Sequence, residues 1–511
     1  MDDIKTAATH IMQATPQIIQ QLIQRFNQGH LAEAEQQAKA LIAHNPREFI
    51  LHHVLSLALD QQQKYAEAVT SYQSAIQLKP NMPDLYFNLG IALTHLNRLE
   101  EAEAAYRQAI KAQPNFFEAH GNLGTLLQRQ GKLDEAIQSY QNGLRINPQD
   151  ARGYFNLGTV LRDKGLLDEA VNHYQQAITL FPNYTDAYNN LGETYRDQGN
   201  MPDAVLQYQE ALARNPQHSN ANYNMAEFLY LAKRYAEAIP YFEQSQLDDW
   251  QERILYCLYK DSQFDAFKQK RDALIKQAPH TSPFLATLST HYSINFKEED
   301  PYTFCKNGLD FVYHRAIPEL AEGSPLLKAL LHDIHHADIA ERKQARLTNG
   351  KQSAGNLFKR PEVSFRELSA LIKRAFSNYR QHFANADCAL ISAFPDTLEF
   401  TSSWYVKMQQ GGHLNAHIHE IGWISGAVYL AMPETQDDRE GAFEYGTHGD
   451  EYPQLHTDFP TAYIKPKVGE IVLFPSSLFH RTIPFNAQEE RICVAFDLKP
   501  KADLSNARSN Y

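Results

Sequence analysis

Apolar residues recur at helical spacing through the first half of the chain, in short segments split by polar turns such as Gln130-Gly131-Lys132-Leu133-Asp134. The segments come in pairs, and the pairs repeat with a fixed step. Ala34, Ala68, Ala102, Ala136, Ala170, Ala204 and Ala238 define this step, and Tyr72, Tyr106, Tyr140, Tyr174, Tyr208 and Phe242 keep it. Gly90, Gly124, Gly158 and Gly192 keep it too, with Ala226 in the next slot. Pro46, Pro80, Pro114, Pro148, Pro182 and Pro216 fall where each second helix must stop. Small residues at fixed positions mark places where helices approach closely. The pattern predicts a solenoid of seven helix–turn–helix units over residues 15–252. Leu22 replaces glycine in the first unit, and Trp250 stands where the seventh would have its closing proline. Residues 1–14 read as an extension, and the polar stretch 253–284 as a degenerate capping repeat or linker.

After about residue 285 the period is lost. Residues 308–346 predict helices, and 363–386 one long helix, within a helical region 285–388. From Ala389 the pattern turns to short alternating segments. They are Ser403–Met408, Ala416–His419, Ile424–Ala431, Ala442–Tyr445, Ala462–Ile464, Glu470–Phe474, His480–Ile483 and Ile492–Leu498. Gln410-Gly411-Gly412, Val468-Gly469-Glu470 and Asn486-Ala487 read as turns between them. Short strands at this density predict a jelly roll over 389–499, followed by a flexible tail, 500–511. The expected fold class is α + β multidomain: an all-α solenoid, then a double-stranded β-helix with flanking helices.

Composition narrows the function. Lys plus Arg is 48 and Asp plus Glu 60, a net charge of −12, which argues against nucleic acid as a partner. No apolar run is long enough to span a bilayer. The acidic start, Met1-Asp2-Asp3, does not resemble a secretory signal. Four dispersed cysteines fit buried thiols in a reducing compartment, so the expected location is cytoplasmic. The sequence leaves the oligomeric state open.

Two constellations carry chemistry. His417 and His419 flank a single residue, so on a strand both imidazoles project from one face. His480 follows the Glu470–Phe474 segment. Two close ligands and one distant one make a facial set with open positions, suited to Fe(II) and oxygen chemistry. Zinc could bind, but four closing ligands are not apparent. Glu420 or Glu444 could replace His419 as third ligand, although Glu420 needs a bulge to reach that face. On the last strand Arg491, Cys493 and Ala495 share a face. A buried lone arginine is costly without an anion, so a dicarboxylate such as 2-oxoglutarate would complete the site. His332, His335 and His336 read as a polar helix face rather than a metal site.

The second constellation lies in the repeats. Asn88, Asn122, Asn156, Asn190 and Asn224 recur at the repeat step on successive first helices. A primary amide can hold a peptide unit by both its C=O and N–H, so such a ladder suits an extended polypeptide in a groove.

The repeats closely resemble the tetratricopeptide family. Residues 345–499 resemble the 2-oxoglutarate and Fe(II)-dependent dioxygenases, in particular the bacterial and phage subgroup related to prolyl hydroxylases. The resemblance is carried by Asn415-Ala416-His417-Ile418-His419, Trp423 through Leu430, Phe474-Pro475 through His480, Ile483-Pro484-Phe485 and Glu490-Arg491. Thr348-Asn349-Gly350-Lys351-Gln352-Ser353 adds to it. It implies Fe(II), 2-oxoglutarate and O2 as cofactor and co-substrates, iron on His417, His419 and His480, and the far carboxylate of the oxoacid on Arg491. Asn415 would assist where prolyl hydroxylases often carry Tyr. The family at large has His-x-Asp or His-x-Glu, whereas this chain has His-x-His. The reaction implied is hydroxylation of a side chain of a peptide or protein held by the repeats. The rivals are an oxoacid-independent three-His dioxygenase and a non-catalytic interaction scaffold.

Overall fold

The structure is a computed structural model describing residues 14–500, apart from 248, 278–280, 338, 340, 343–345, 354–355, 395–397 and 421. Nearly all of the expected N-terminal extension and C-terminal tail therefore lies outside the described residues. The chain divides into two compact units, 1–228 and 229–511.

The first unit is a helical solenoid. Antiparallel helix pairs run from Pro16–Asn27 with Leu31–His44 to Thr185–Asp197 with Met201–Arg214, and helices Ser219–Leu231 and Tyr235–Ser245 follow in the chain. The packing explains the two strongest sequence columns. Gly90, Gly124, Gly158 and Gly192, the glycines of the repeat column, each lie under the tyrosine of the second helix in the same pair. A Cβ on Gly90 would stand 2.6 Å from Tyr106, on Gly124 2.8 Å from Tyr140, and on Gly192 2.6 Å from Tyr208. Only glycine lets the ring seat against helix backbone, and the tyrosines are accordingly almost wholly buried.

The second unit continues with helices Trp250–Lys260, Phe264–Lys276 and Pro283–Asn295 and then builds an antiparallel half-barrel. Its strands are Tyr313–Ala316 (β1), Glu341–Arg342 (β2), Leu347–Ser353 (β3), Leu398–His417 (β4), Ile424–Ala431 (β5), Phe443–Gly446 (β6), Thr461–Ile464 (β7), Glu470–Pro475 (β8), Phe479–Thr482 (β9) and Arg491–Pro500 (β10). The order is β1-β8-β5-β10-β4-β9-β6-β7, with β3 also on β4. The apolar face of β5 packs with β8 and β10 around Tyr429, Val472 and Phe474.

Two expectations are corrected. The first two predicted strands are one: β4 runs through Gln410-Gly411-Gly412 without turning back. Gly411 takes φ +75°, and the register with β3 and with β9 shifts nearby, so the strand bends and continues. Its first half pairs with β10 and its second half with β9. Residues 308–346 are also not uniformly helical: Pro325–His336 is a helix, but β1 pairs with the edge of β8 and β2 with β3. The long helix is Val363–His382.

Candidate active site

The end of β4 and the start of β9 lie side by side, with His417 directly opposite His480. His419 follows just beyond the end of β4. The ring centroids of His417 and His480 are 4.3 Å apart, and those of His419 and His480 4.8 Å. One nitrogen from each of the three falls within 4.8 Å of the others, and His417 Nε2 is 3.2 Å from His419 Nε2. Among the described residues this is the one such cluster of possible metal-binding side chains.

Each imidazole is held from behind. His417 Nδ1 is 2.8 Å from the carbonyl of Asn415, and His480 Nδ1 is 3.3 Å from the carbonyl of Leu478. His419 Nδ1 meets a carboxylate oxygen of Asp497. An acceptor at Nδ1 places the proton there and turns the Nε2 lone pair toward the centre of the set. Asp497 is itself fixed by hydroxyl donation from Ser402 (2.8 Å) and Ser425 (2.7 Å). Burial works to raise its pKa, but the His419 imidazole and these donors hold the carboxyl below its usual range. Burial, reinforced by the neighbouring His419, pushes His417 down to about 3, and burial pushes His480 well below the usual histidine range. Both are thus neutral donors. Three imidazoles gathered at one point with open positions suit a borderline divalent ion such as Fe(II).

The same cavity contains Arg491, 1% exposed at the start of β10. Its Nε donates to the Gly441 carbonyl at 3.1 Å. Its Nη1 reaches only sulfur, Cys493 at 3.7 Å and Met408 at 3.9 Å. The guanidinium lies over the Tyr429 ring at 5.1 Å. Among the described residues no carboxylate lies within ion-pair distance of it. A buried cation with this shell fits an anionic ligand group entering the cavity. On the other side of His417, His419, Leu414 and Trp404 opens an outer chamber of about 500 Å³.

The remaining expected site residues separate. Asn415 is exposed and outside the cavity, because the register shift between Leu414 and His417 turns it away from the face it would share with His417 on a regular strand. Glu420 is bound by Arg253 at 2.8 Å and Glu444 by Arg481 at 2.6 Å, so neither joins the imidazoles. Asp497 went unnoticed in the sequence. Its signal was there: the alternation Arg491, Cys493, Ala495 continues to it on β10. In the ladder Asn88, Asn122, Asn156 and Asn190 are half-buried, and the Asn190 amide oxygen accepts from Asn189 Nδ2 at 3.3 Å. Asn224 is buried, and its amide is taken up by Asn189, Glu193 and Arg196, which removes it from the expected peptide-binding set.

The family described as "Putative 2OG-Fe(II) oxygenase" matches residues 402–497. Tetratricopeptide-repeat families match 23–83, 53–116, 105–138, 126–165, 158–199 and 189–251. Similar solved structures include YrrB, a tetratricopeptide-repeat protein with an unusual peptide-binding site. It is 23% identical over 36% of this chain and 95% of its own, with a TM-score of 0.33. A tetratricopeptide repeat protein from Parabacteroides merdae is 19% identical over 47% and 98%, with a TM-score of 0.39. MamA from Desulfovibrio magneticus is 21% identical over 33% and 95%, with a TM-score of 0.32. No curated protein matches the chain. No helix among the described residues is long and apolar enough to cross a membrane.

Proposed function

From a chain in which tetratricopeptide repeats precede a 2OG-Fe(II) oxygenase domain, we propose an Fe(II)- and 2-oxoglutarate-dependent dioxygenase. It hydroxylates a side chain of a peptide or protein bound by the repeats. The observation that carries this reading is the meeting, in one cavity, of three anchored imidazoles and a buried guanidinium with no carboxylate partner. The half-barrel serves as the jelly roll of the enzyme.

His417, His419 and His480 would hold iron through Nε2. Asp497 holds the His419 ring through Nδ1, which leaves Nε2 as the nitrogen that would face the metal. The carboxylate the family usually places in the metal set is thereby moved one bond network outward. Arg491 offers two parallel N–H groups to the far carboxylate of the oxoacid. Burial holds the Tyr429 phenol protonated, leaving its hydroxyl as a donor beside the guanidinium. Iron held there would, with O2 and the oxoacid, supply the oxidising power to insert oxygen into an unactivated C–H bond, with the oxoacid leaving as succinate and CO2. Trp404 and Leu414 wall the inner cavity from the outer chamber, limiting water at the reacting centre. The half-buried amides of Asn88, Asn122, Asn156 and Asn190 support a polypeptide substrate.

A second reading, an oxoacid-independent three-His dioxygenase, is favoured by the absence of a carboxylate from the set. Oxygen consumption by the iron-loaded protein separates the two. Uptake that requires 2-oxoglutarate and yields succinate supports the first. Uptake without it supports the second, and no uptake under either condition leaves a binding scaffold.

A further inference from the structure

Four ionisable side chains line the outer chamber besides its histidines: Arg346, Glu420, Asp497 and Lys499. Three are already paired. Asp450 accepts from Arg346 at 2.9 Å, Arg253 neutralises Glu420, and His419 and two serines engage Asp497. Lys499 has no carboxylate within ion-pair distance among the described residues. It stands next but one to Asp497 on the strand, so their Cα atoms are about 7 Å apart along β10. Lys499 is therefore the one cation lining the chamber that has no ion-pair partner among the described residues.

A second group in the same chamber is also unsatisfied. Gln352 on β3 is 4% exposed, and its buried Oε1 has no hydrogen-bond partner. No side-chain hydrogen bond from its amide is found among the described residues. Buried amides are rarely left this way, because losing water without a replacement partner is costly. An amide presents both a donor and an acceptor, the complement of a peptide unit.

We propose that the outer chamber takes a carboxylate-bearing part of the polypeptide, with the carboxylate on Lys499 and a neighbouring peptide unit on Gln352. The residue brought to His417, His419 and His480 is then acidic or carries the chain's C-terminal carboxylate. This rests on the oxygenase reading and adds the substrate class to it. A neutral group would leave Lys499 without an ion pair, and a cationic group would be repelled by it. The oxygens of the chamber's two acids are already engaged, Glu420 by Arg253 and Asp497 by His419 and two serines, and neither forms an ion pair with Lys499.

The test is calorimetry on the full-length protein without metal, using four capped peptides of one neutral sequence. Three carry Asp, Asn or Lys at the centre; the fourth carries Asn and a free C-terminal carboxylate. The Asp peptide or the free-carboxylate peptide should bind roughly 10- to 100-fold more tightly than the capped Asn and Lys peptides, and which one does so identifies the source of the carboxylate. Lys499→Met should remove that difference, with Lys499→Gln as the alternative should the methionine variant fail to fold. Lys499→Glu should favour the Lys peptide. Gln352→Leu should weaken all four alike by several-fold. Equal binding of the four, binding of none, or a preference unaltered in Lys499→Glu would overturn the proposal. Because these titrations need no turnover, a carboxylate preference without oxoacid-dependent oxygen uptake would count against the oxygenase reading alone.

Discussion

In the repeats, Glu35 and Glu103 are buried carboxylates, and each is bound by two cations. Lys39 and Lys64 both approach Glu35 at 2.7 Å; Arg107 and Lys132 flank Glu103, with Lys132 at 2.8 Å. Glu103 stands in the slot of Glu35 two repeats later, so one electrostatic solution is used twice. In the half-barrel Arg491 is more deeply buried, yet its guanidinium faces a carbonyl and two sulfurs. A structural charge is satisfied within its own fold, whereas a charge kept for a ligand stays incomplete until the ligand arrives. That contrast between the Glu35 and Glu103 sites and the Arg491 site can be broken in several ways.

The largest effect is expected at the imidazoles. His417→Ala or His480→Ala should abolish iron binding in protein purified anaerobically, since either leaves two donors. Unchanged iron content in both variants would sink the metal assignment. His419→Asp should keep the metal, because it restores the family's commoner His-x-Asp pair.

Next is the ladder. Changing Asn122, Asn156 and Asn190 together to Ala removes up to three amide pairings worth about 0.5–1.5 kcal/mol each. Polypeptide affinity should fall roughly 10- to 1,000-fold, while oxoacid turnover without polypeptide continues and helicity is kept. Loss of helical circular dichroism would instead make these asparagines structural.

Smaller effects probe stability. Gly192→Ala puts a methyl 2.6 Å from the Tyr208 ring and 3.0 Å from the Ala204 carbonyl oxygen. Overpacking of this kind costs about 1–3 kcal/mol, to be seen as a lower urea midpoint. A midpoint equal to wild type would mean that the ring can move aside.

Acidification should act on the two units in different pH windows. The folded pKa of His417, about 3, lies below the unfolded value near 6.5, so only the unfolded chain takes up this proton across that interval. The second unit loses stability as pH falls below about 6.5. Glu35 is lowered to about 2, first by Lys39 and then by Lys64, so its contribution is complete above about 4.5 and is lost as pH falls toward 2. All three tryptophans, Trp250, Trp404 and Trp423, belong to the second unit, whose unfolding their fluorescence reports. Their transition should come at higher pH than the loss of helical circular dichroism. Coincident transitions would contradict the two windows.

The solenoid was legible because its contacts are local: a glycine and a tyrosine of one helix pair meet, as Gly90 meets Tyr106, and the chain repeats the pairing. The half-barrel was legible in the spacing of its histidines and in the face that Arg491 shares with Cys493 on β10, although His419 lies just past the end of β4. What escaped depends on long-range register. The bend at Gly411 that joins two strands into β4, the shift that turns Asn415 outward, and the pairing of β1 with β8 are fixed by partners far along the chain. Asp497 lay on a readable face, but its meaning required knowing that His419 ends up beside it. The amide of Asn224 is lost to the ladder for the same kind of reason, through Asn189 and Glu193 of the preceding repeat.

The most direct test of the central claim is titration of 2-oxoglutarate into iron-loaded protein without oxygen, for wild type and Arg491→Met. The substitution replaces a buried, unpaired cation with an apolar side chain, so the melting temperature should hold or rise while iron content stays the same. Oxoacid affinity should fall about 10- to 150-fold, the worth of a charge-assisted bidentate contact. Equal affinity in the two proteins would contradict the account, because the guanidinium would then not be the anchor for the oxoacid.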